Sequence, residues 1–284
     1  MSAAIAPARF TLASYNVLNL FDNIDDPAKK DEDTPAKPQA EQAALSEVML
    51  SSGADVIALQ EVENLQILKT FRDQHGLAEA YPHLLLLEGN DKRGIDVALM
   101  SRHPIQNPVS HKETTFKVEG QKEKGHFLRD VLQADIEMPG GTPVRFFVTH
   151  FASKIGGQRA DRLRKAEAKA AREIIQRETA SFPGQRYVVM GDFNDTPDSI
   201  AVKTFTTPDK NGWALRDVFA DQPETVSYPT SEETAQKWGY KKIDHILVSP
   251  ALMDSFTGHQ VHHHPADEQA SDHWMVSSNF AANS

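Results

Sequence analysis

The segment Tyr187-Val188-Val189-Met190-Gly191-Asp192-Phe193-Asn194-Asp195 passes without a break from an apolar run into a polar cluster. A short, β-branched apolar run of this kind reads as a buried strand. Its end delivers Asp192 and Asn194 into a loop, two residues apart and so roughly on one side. A carboxylate beside a carboxamide suits orienting and deprotonating a water. An Asx turn closing a strand uses the same residue types, so this segment alone leaves both readings open.

Similar apolar runs recur outward from it at 10–17, 55–60, 83–87, 95–100, 131–136, 144–149, 243–248 and 274–277. Several of these expected strands also end in reactive side chains. Asn16 closes the first, Glu61 follows the second and His150 follows Val148-Thr149. Asp244 opens another, and Ser271-Asp272-His273 precedes the last. One such end is ordinary turn chemistry; five carrying Asn, Asp, Glu or His are harder to explain that way.

Two helices are expected between the strands. One covers 39–51, with Ala43, Ala44, Glu47, Val48 and Leu50 in mixed amphipathic spacing. The clearer one covers 159–178, with Leu163, Ala166, Ala170 and Ile174 on one face. Strands outnumber helices and often follow one another through turns alone. That favours sheets packed on each other with helices outside, over one doubly wound sheet. The acidic, lysine-dotted, proline-punctuated segment 22–38 reads as a long surface loop, a candidate for substrate specificity. No linker divides the chain. One domain is expected over 9–281, with an N-terminal extension at 1–8 and a tail at 282–284.

Composition narrows the chemistry. The chain of 284 residues has no cysteine, which excludes disulfides, thiolate metal sites and a cysteine nucleophile. No apolar run is long enough to span a membrane. The first ten residues are too short and weakly hydrophobic for a signal peptide. The cytoplasm is therefore the default expectation, with secretion or the periplasm the alternative if a leader is missing. A monomer without protein partners is expected. The net charge of −10 is unusual for a protein gripping a long polyanion. Yet 154–177 holds eight Lys/Arg against three acids, and Arg162, Lys165, Lys169 and Arg172 share one helical face. That stripe is either a solvated face or a guide for a nucleic-acid backbone.

The ordered motifs Tyr15-Asn16-Val17-Leu18-Asn19, Gln60-Glu61-Val62, Thr149-His150-Phe151, Gly191-Asp192-Phe193-Asn194-Asp195, Ile243-Asp244-His245 and Ser271-Asp272-His273 together resemble the endonuclease/exonuclease/phosphatase family. The family includes deoxyribonuclease I-like nucleases, abasic-site endonucleases, inositol-phosphate phosphatases and neutral sphingomyelinases. The resemblance runs from about residue 10 to about residue 280. It implies a four-layer α/β sandwich, two mostly antiparallel β-sheets packed face to face with helices outside.

The resemblance also assigns roles. Glu61 would be the principal metal ligand, with Asn16 beside it and Asp272 a further or second-metal ligand. The metal would be Mg²⁺, with Mn²⁺ or Ca²⁺ as alternatives. Asp192 would activate water, and Asn194 would position the phosphate or the nucleophile. Asp244 and His273 would form an Asp–His pair, acting as imidazolium or as base. His150 and Arg129 would contact the phosphate side. Lys154, in a Ser-Lys-Ile-Gly-Gly segment, and Arg93, before Gly94-Ile95-Asp96, are further candidates for substrate binding; either would otherwise be solvated. His262-His263-His264 is expected to be a solvated connection, because adjacent residues in an extended chain point to opposite sides and cannot close on one ion. The expected activity is metal-assisted hydrolysis of a phosphodiester, with DNA or RNA as substrate. The alternative is a small or lipid phosphoester; a non-catalytic relative is disfavoured by the intact site residues.

Overall fold

The computed structural model describes residues 8–25, 29–30, 34–181 and 184–282. Most of the expected N-terminal extension, the end of the tail and residues 26–28 and 31–33 of the long loop fall outside them.

In chain order the first strands are β1 (Arg9–Leu20), β2 (Val56–Val62), β3 (His83–Leu86), β4 (Asp96–Ser101) and β5 (Ile105–Ser110). A short ribbon of β6 (Thr115–Lys117) and β7 (Lys124–His126) precedes β8 (Val131–Met138), β9 (Thr142–His150) and β10 (Arg186–Asp192). The last are β11 (Arg216–Asp217), β12 (Asp244–Val248), β13 (Phe256–Val261) and β14 (Val276–Ala281). Among the described residues, one six-stranded sheet runs β13-β14-β1-β2-β4-β3 and the other β11-β12-β10-β9-β8-β5. The main helices are α1 (Gln39–Ser52), α2 (Leu65–Gln74), α3 (Gly157–Thr179), α4 (Ile200–Thr206) and α5 (Glu232–Trp238).

All pairings within these sheets are antiparallel except two, β1 with β2 and β9 with β10. A parallel pair needs a crossover, and α1 and α3 supply the two. Alternation along each strand then sorts the apolar residues. Val188 and Met190 of β10 join Leu12, Val56, Leu132, Val148 and Ile246 between the sheets. Val189 and Tyr187 face the other way, onto Ile174 and Ile175 of α3 and Phe205 of α4. On the opposite flank Tyr15, Ile57 and Leu59 pack beneath Leu45 and Val48 of α1 and Phe71 of α2. Three apolar layers thus separate four layers of backbone, the expected architecture. Each fully buried Leu, Val or Phe contributes roughly 1.5–3 kcal/mol.

Several expectations need adjusting. The buried face of α3 is Arg164, Glu167, Ala168, Ala170, Ala171, Ile174 and Ile175, while Leu163 and Ala166 lie at its half-buried margin. The final strand begins at Val276 rather than 274, because Trp274 turns its N–H to Ser227 O (2.8 Å). The three histidines do not converge, as expected, but His262 is not solvated. It is buried with Nε2 2.8 Å from Ser277 Oγ, whereas His263 lies edge-on to Trp274. No helix among the described residues is long and apolar enough to cross a membrane.

Candidate active site

Strand register assembles half of the site. Asp192, the last residue of β10, is paired with His150 on its parallel neighbour and with Asp244 on its antiparallel one. Three residues far apart in sequence therefore stand in one row across the sheet. The other sheet delivers Asn16 from β1, level with Gln60 on β2. Just beyond, the ladder slips between Asn16 and Leu20, and Leu18, Asn19 and Glu61 take positive φ of 50°, 52° and 67°. Non-glycine residues enter that region at a cost and are held there by their surroundings. Here Asn19 N–H donates to Glu61 Oε2 (3.1 Å) and Leu18 N–H to Asn16 Oδ1 (3.0 Å).

Asn16 joins the two halves. Its amide Nδ2 lies 3.2 Å from Glu61 Oε1 and 3.1 Å from Asp192 Oδ2. Asp192 Oδ2 is also 3.4 Å from His150 Nε2 and 3.9 Å from His273 Nε2, while its Oδ1 accepts the Asn194 N–H (2.7 Å). Asn194, at φ 53°, anchors its own amide on Phe151 O (3.0 Å). His273 Nδ1 lies 2.8 Å from Asp244 Oδ2, and the Tyr228 ring packs beside the imidazole at 4.9 Å. Ser271 ties this loop to β1: its hydroxyl donates to Asn16 O (2.7 Å) and accepts the His273 N–H (3.1 Å).

Burial separates the charge states of these groups. Asp192 is pushed up to about 7 by burial and by the neighbouring Asp244, against the pull of His273 and the Asn194 and Asn16 donors. For His273, burial disfavours the charge, but Asp244, Asp272 and Asp192 outweigh it and hold the imidazolium well above the usual histidine range. His150 goes the opposite way, held well below that range by burial and by Arg129, His273 and Arg93. Burial, reinforced by Glu61, raises Asp272 despite the opposing pull of His273. Two imidazoles flanking one carboxyl thus differ in protonation.

The remaining expected residues lie on flanking segments. Arg129 is buried, with Nε 3.0 Å from Asp91 Oδ2 and Nη1 lacking any hydrogen-bond partner. Lys154 is half exposed and pairs with Asp195 at 2.6 Å. Arg93 is exposed, 3.9 Å from Asp91. Asp91 opens the turn to Gly94 and accepts the Arg93 N–H (2.9 Å), ordinary turn chemistry that carries no distinguishing signal in the sequence. The basic stripe does not survive as a continuous face. Arg172 stacks on Trp213 (4.7 Å) and pairs with Asp209 (3.0 Å), and Lys165 pairs with Asp161 (2.6 Å).

The donor set fits a hard divalent cation. Carboxylates of Glu61 and Asp192 flank the Asn16 carboxamide, Asp272 Oδ1 stands 3.9 Å from His273 Nε2, and the chain has no cysteine to offer a thiolate; Mg²⁺ favours such oxygens. Asp272 and Asp192 are raised first by burial and then by neighbouring carboxylates, and a cation would relieve that second contribution. Among the described residues, Asp192, Asp244 and His273 each bring one ligand atom within 4.8 Å of the others. His273 Nδ1 is already engaged by Asp244, which leaves Nε2 as the ring nitrogen facing Asp192.

Two packed six-stranded sheets flanked by helices, with Asn, Glu, Asp and His pooled at one end, make a DNase I-like scaffold. The chain belongs to the Endonuclease/Exonuclease/phosphatase family, whose profile matches residues 11–273. Members are hydrolases acting on phosphoester bonds. Solved structures with the same fold include the human Nocturnin catalytic domain with bound sulfate anion. It shares 18% identity over 97% of this chain and 95% of that one, with a TM-score of 0.63. An endonuclease/exonuclease/phosphatase from Bacteroides vulgatus shares 17% identity over 97% and 100% of the two chains, with a TM-score of 0.65. Truncated Caenorhabditis elegans TDP2 shares 15% over 96% and 98%, with a TM-score of 0.62. No curated protein matches the chain.

Proposed function

We propose that this chain is a Mg²⁺-dependent phosphodiester hydrolase whose catalytic unit spans residues 9–281, with nucleic acid as its substrate. The observation that carries the reading is Asn16 Nδ2, which lies within 3.2 Å of both Glu61 and Asp192 and so joins a metal-binding half to a water-activating half. Glu61, Asn16 and Asp272 would hold the ion, with Mn²⁺ or Ca²⁺ as substitutes. Bound there, Mg²⁺ neutralises phosphate charge and polarises its oxygens.

The chain's own residues account for the proton traffic. Asp192, raised to about 7, is basic enough to take a proton from water near neutral pH. Its Oδ1 is fixed by the Asn194 N–H, which aims the other oxygen at the space between His150 and His273. Asp244 keeps a proton on His273 Nδ1, and the charged ring offers Nε2–H to an oxygen of the phosphate. That state favours Asp192 over His273 as the base. Neutral His150 and the unpartnered Nη1 of Arg129 are further donors for the phosphate. Lys154 and Arg93 would meet the flanking chain.

A small phosphoester is the second reading, favoured by the net charge of −10 and by the ion pairs that tie up Lys165 and Arg172. A parallel screen separates the two: supercoiled DNA, single-stranded DNA, RNA, inositol phosphates and bis-p-nitrophenyl phosphate, each with Mg²⁺, Mn²⁺ and Ca²⁺. Cleavage of nucleic acid is expected. Turnover confined to inositol phosphates would transfer the assignment to the second reading, and no turnover anywhere would reject both.

A further inference from the structure

We infer that Arg164 and Glu167 of α3 are positioning residues, a buried clamp that sets the segments bearing His150, Arg129 and Asn194 against one another. The catalytic consequence rests on the phosphodiesterase reading above; the clamp itself does not. Both side chains sit among solvated charges in the sequence, yet Arg164 is 2% and Glu167 1% exposed. At such depth burial pushes Glu167 up to about 7, against the pull of the Leu128 and Ala152 N–H groups and of Arg129 and Arg164, so the side chain is kept there by how well its partners are made.

The partners are on three different segments. Arg164 donates from Nη1 to Ala152 O (3.0 Å) and from Nε to Asp195 Oδ2 (2.9 Å), with Nη2 on Asp161 Oδ1 (3.0 Å). Glu167 accepts the Ala152 N–H on Oε2 (2.8 Å) and the Leu128 N–H on Oε1 (3.0 Å). Three residues apart on a helix, the two side chains share a face, and together they hold both backbone polar groups of Ala152.

Position explains the need. Ala152 lies two residues past His150, where β9 has ended, and Leu128 lies before β8 begins. The ladder no longer supplies hydrogen-bond partners there, so side chains from α3 take its place. Leu128 adjoins Arg129, and Asp195 adjoins Asn194. Burial opposes the charge on Asp195, but Lys154 and Arg164 outweigh it and hold the carboxyl below the usual range, so it stays charged and keeps that corner closed. A misplacement of about 1 Å at a catalytic group costs up to ~10²-fold in rate, and buried networks of this kind fix such geometry.

Amide hydrogen exchange on the wild-type protein gives the first test. The N–H groups of Ala152 and Leu128 are expected to be protected as strongly as those inside β9; rapid exchange at both would overturn the clamp. The second uses Glu167→Gln, which keeps the volume but turns an NH₂ toward one of the two N–H donors. Exchange at both amides should accelerate about tenfold or more, and the His150 imidazole ¹⁵N resonances should shift. In Mg²⁺-supported hydrolysis of bis-p-nitrophenyl phosphate, kcat should fall about tenfold or more with KM little changed. Ile175→Val, on the same buried face, should lower Tm without these effects. An equal loss of kcat in both variants at matched Tm would reduce Glu167 to a stability role and overturn the proposal. Should Glu167→Gln fail to fold, Glu167→Asp, which keeps the charge but shortens the reach, is read in the same way. If the wild type hydrolyses no phosphoester, the functional reading falls, while exchange and the His150 resonances still decide the clamp.

Discussion

His273 holds Nδ1 2.8 Å from Asp244 Oδ2, and both residues are buried beside Asp192. Asp244 is the main reason the imidazole carries its charge so far above the ordinary histidine range in spite of its burial. Asp244→Asn keeps the shape and removes that charge. The proton on His273 should then be lost at lower pH, moving the alkaline limb of the pH–rate profile downward. A fall in kcat of about 10²–10⁴ is expected, the usual worth of a positioned acid or base. The double variant with His273→Ala should be no slower than His273→Ala alone, since the two act as a unit. Additive losses in steady-state kinetics would show that they do not.

Asp96 gives a prediction about stability. Its Oδ1 accepts the Gly89 N–H (2.7 Å), its Oδ2 is buried without a partner, and burial pushes the carboxyl up to about 7. The unfolded value is about 3.9. With the folded value raised, the folded state binds the proton more tightly. The stabilisation is complete below about pH 4 and is lost as pH rises through about 7. Asp96→Asn keeps the Gly89 bond without the charge. In urea unfolding of metal-free protein, the variant should gain on the wild type between pH 5 and pH 8, by an amount on the order of a few kcal/mol. An equal difference at both pH values would contradict the assignment.

The cations of α3 divide into two kinds. Arg172 lies over Trp213, pairs with Asp209 and donates to Thr204 O (2.6 Å), so it fastens α3 to α4. Arg172→Ala should cost about 1–3 kcal/mol in denaturant unfolding and leave kcat per folded molecule unchanged. Lys169 is exposed. Lys169→Glu should leave stability within about 0.5 kcal/mol but reduce DNA cleavage and flatten its dependence on salt. Unaltered cleavage at every salt concentration would remove Lys169 from the substrate path.

Much of the site was legible because strongly apolar runs fix where strands end. Asp192, His150 and Asp244 follow from that and from period-two alternation. Their mutual pairing does not, since register is settled by partners distant in sequence. The edge strand β5, largely exposed and carrying Pro108, has no clean alternation to read. Helix α2 did leave a signal, Asn64 as N-cap followed by Ile67, Leu68 and Phe71 on one face. Arg164 and Glu167 look like any solvated charges on a long helix. Their partners are largely backbone groups, which leave no trace in residue identity. The histidine run shows the same limit: alternation along the chain can be read from the sequence, but only packing reveals that His262 is buried against Ser277.

The most direct test of a Mg²⁺-dependent phosphodiesterase is the rate of phosphodiester cleavage as Mg²⁺ is titrated into metal-free wild type and Glu61→Ala. Glu61 is held by the Asn16 amide and the Asn19 N–H at the junction of the two half-sites. The wild type should show saturable, Mg²⁺-dependent cleavage, and Glu61→Ala should lose about 10²-fold or more at the same metal concentration. Equal rates for the two proteins across the titration, or cleavage that persists undiminished in excess chelator, would contradict it.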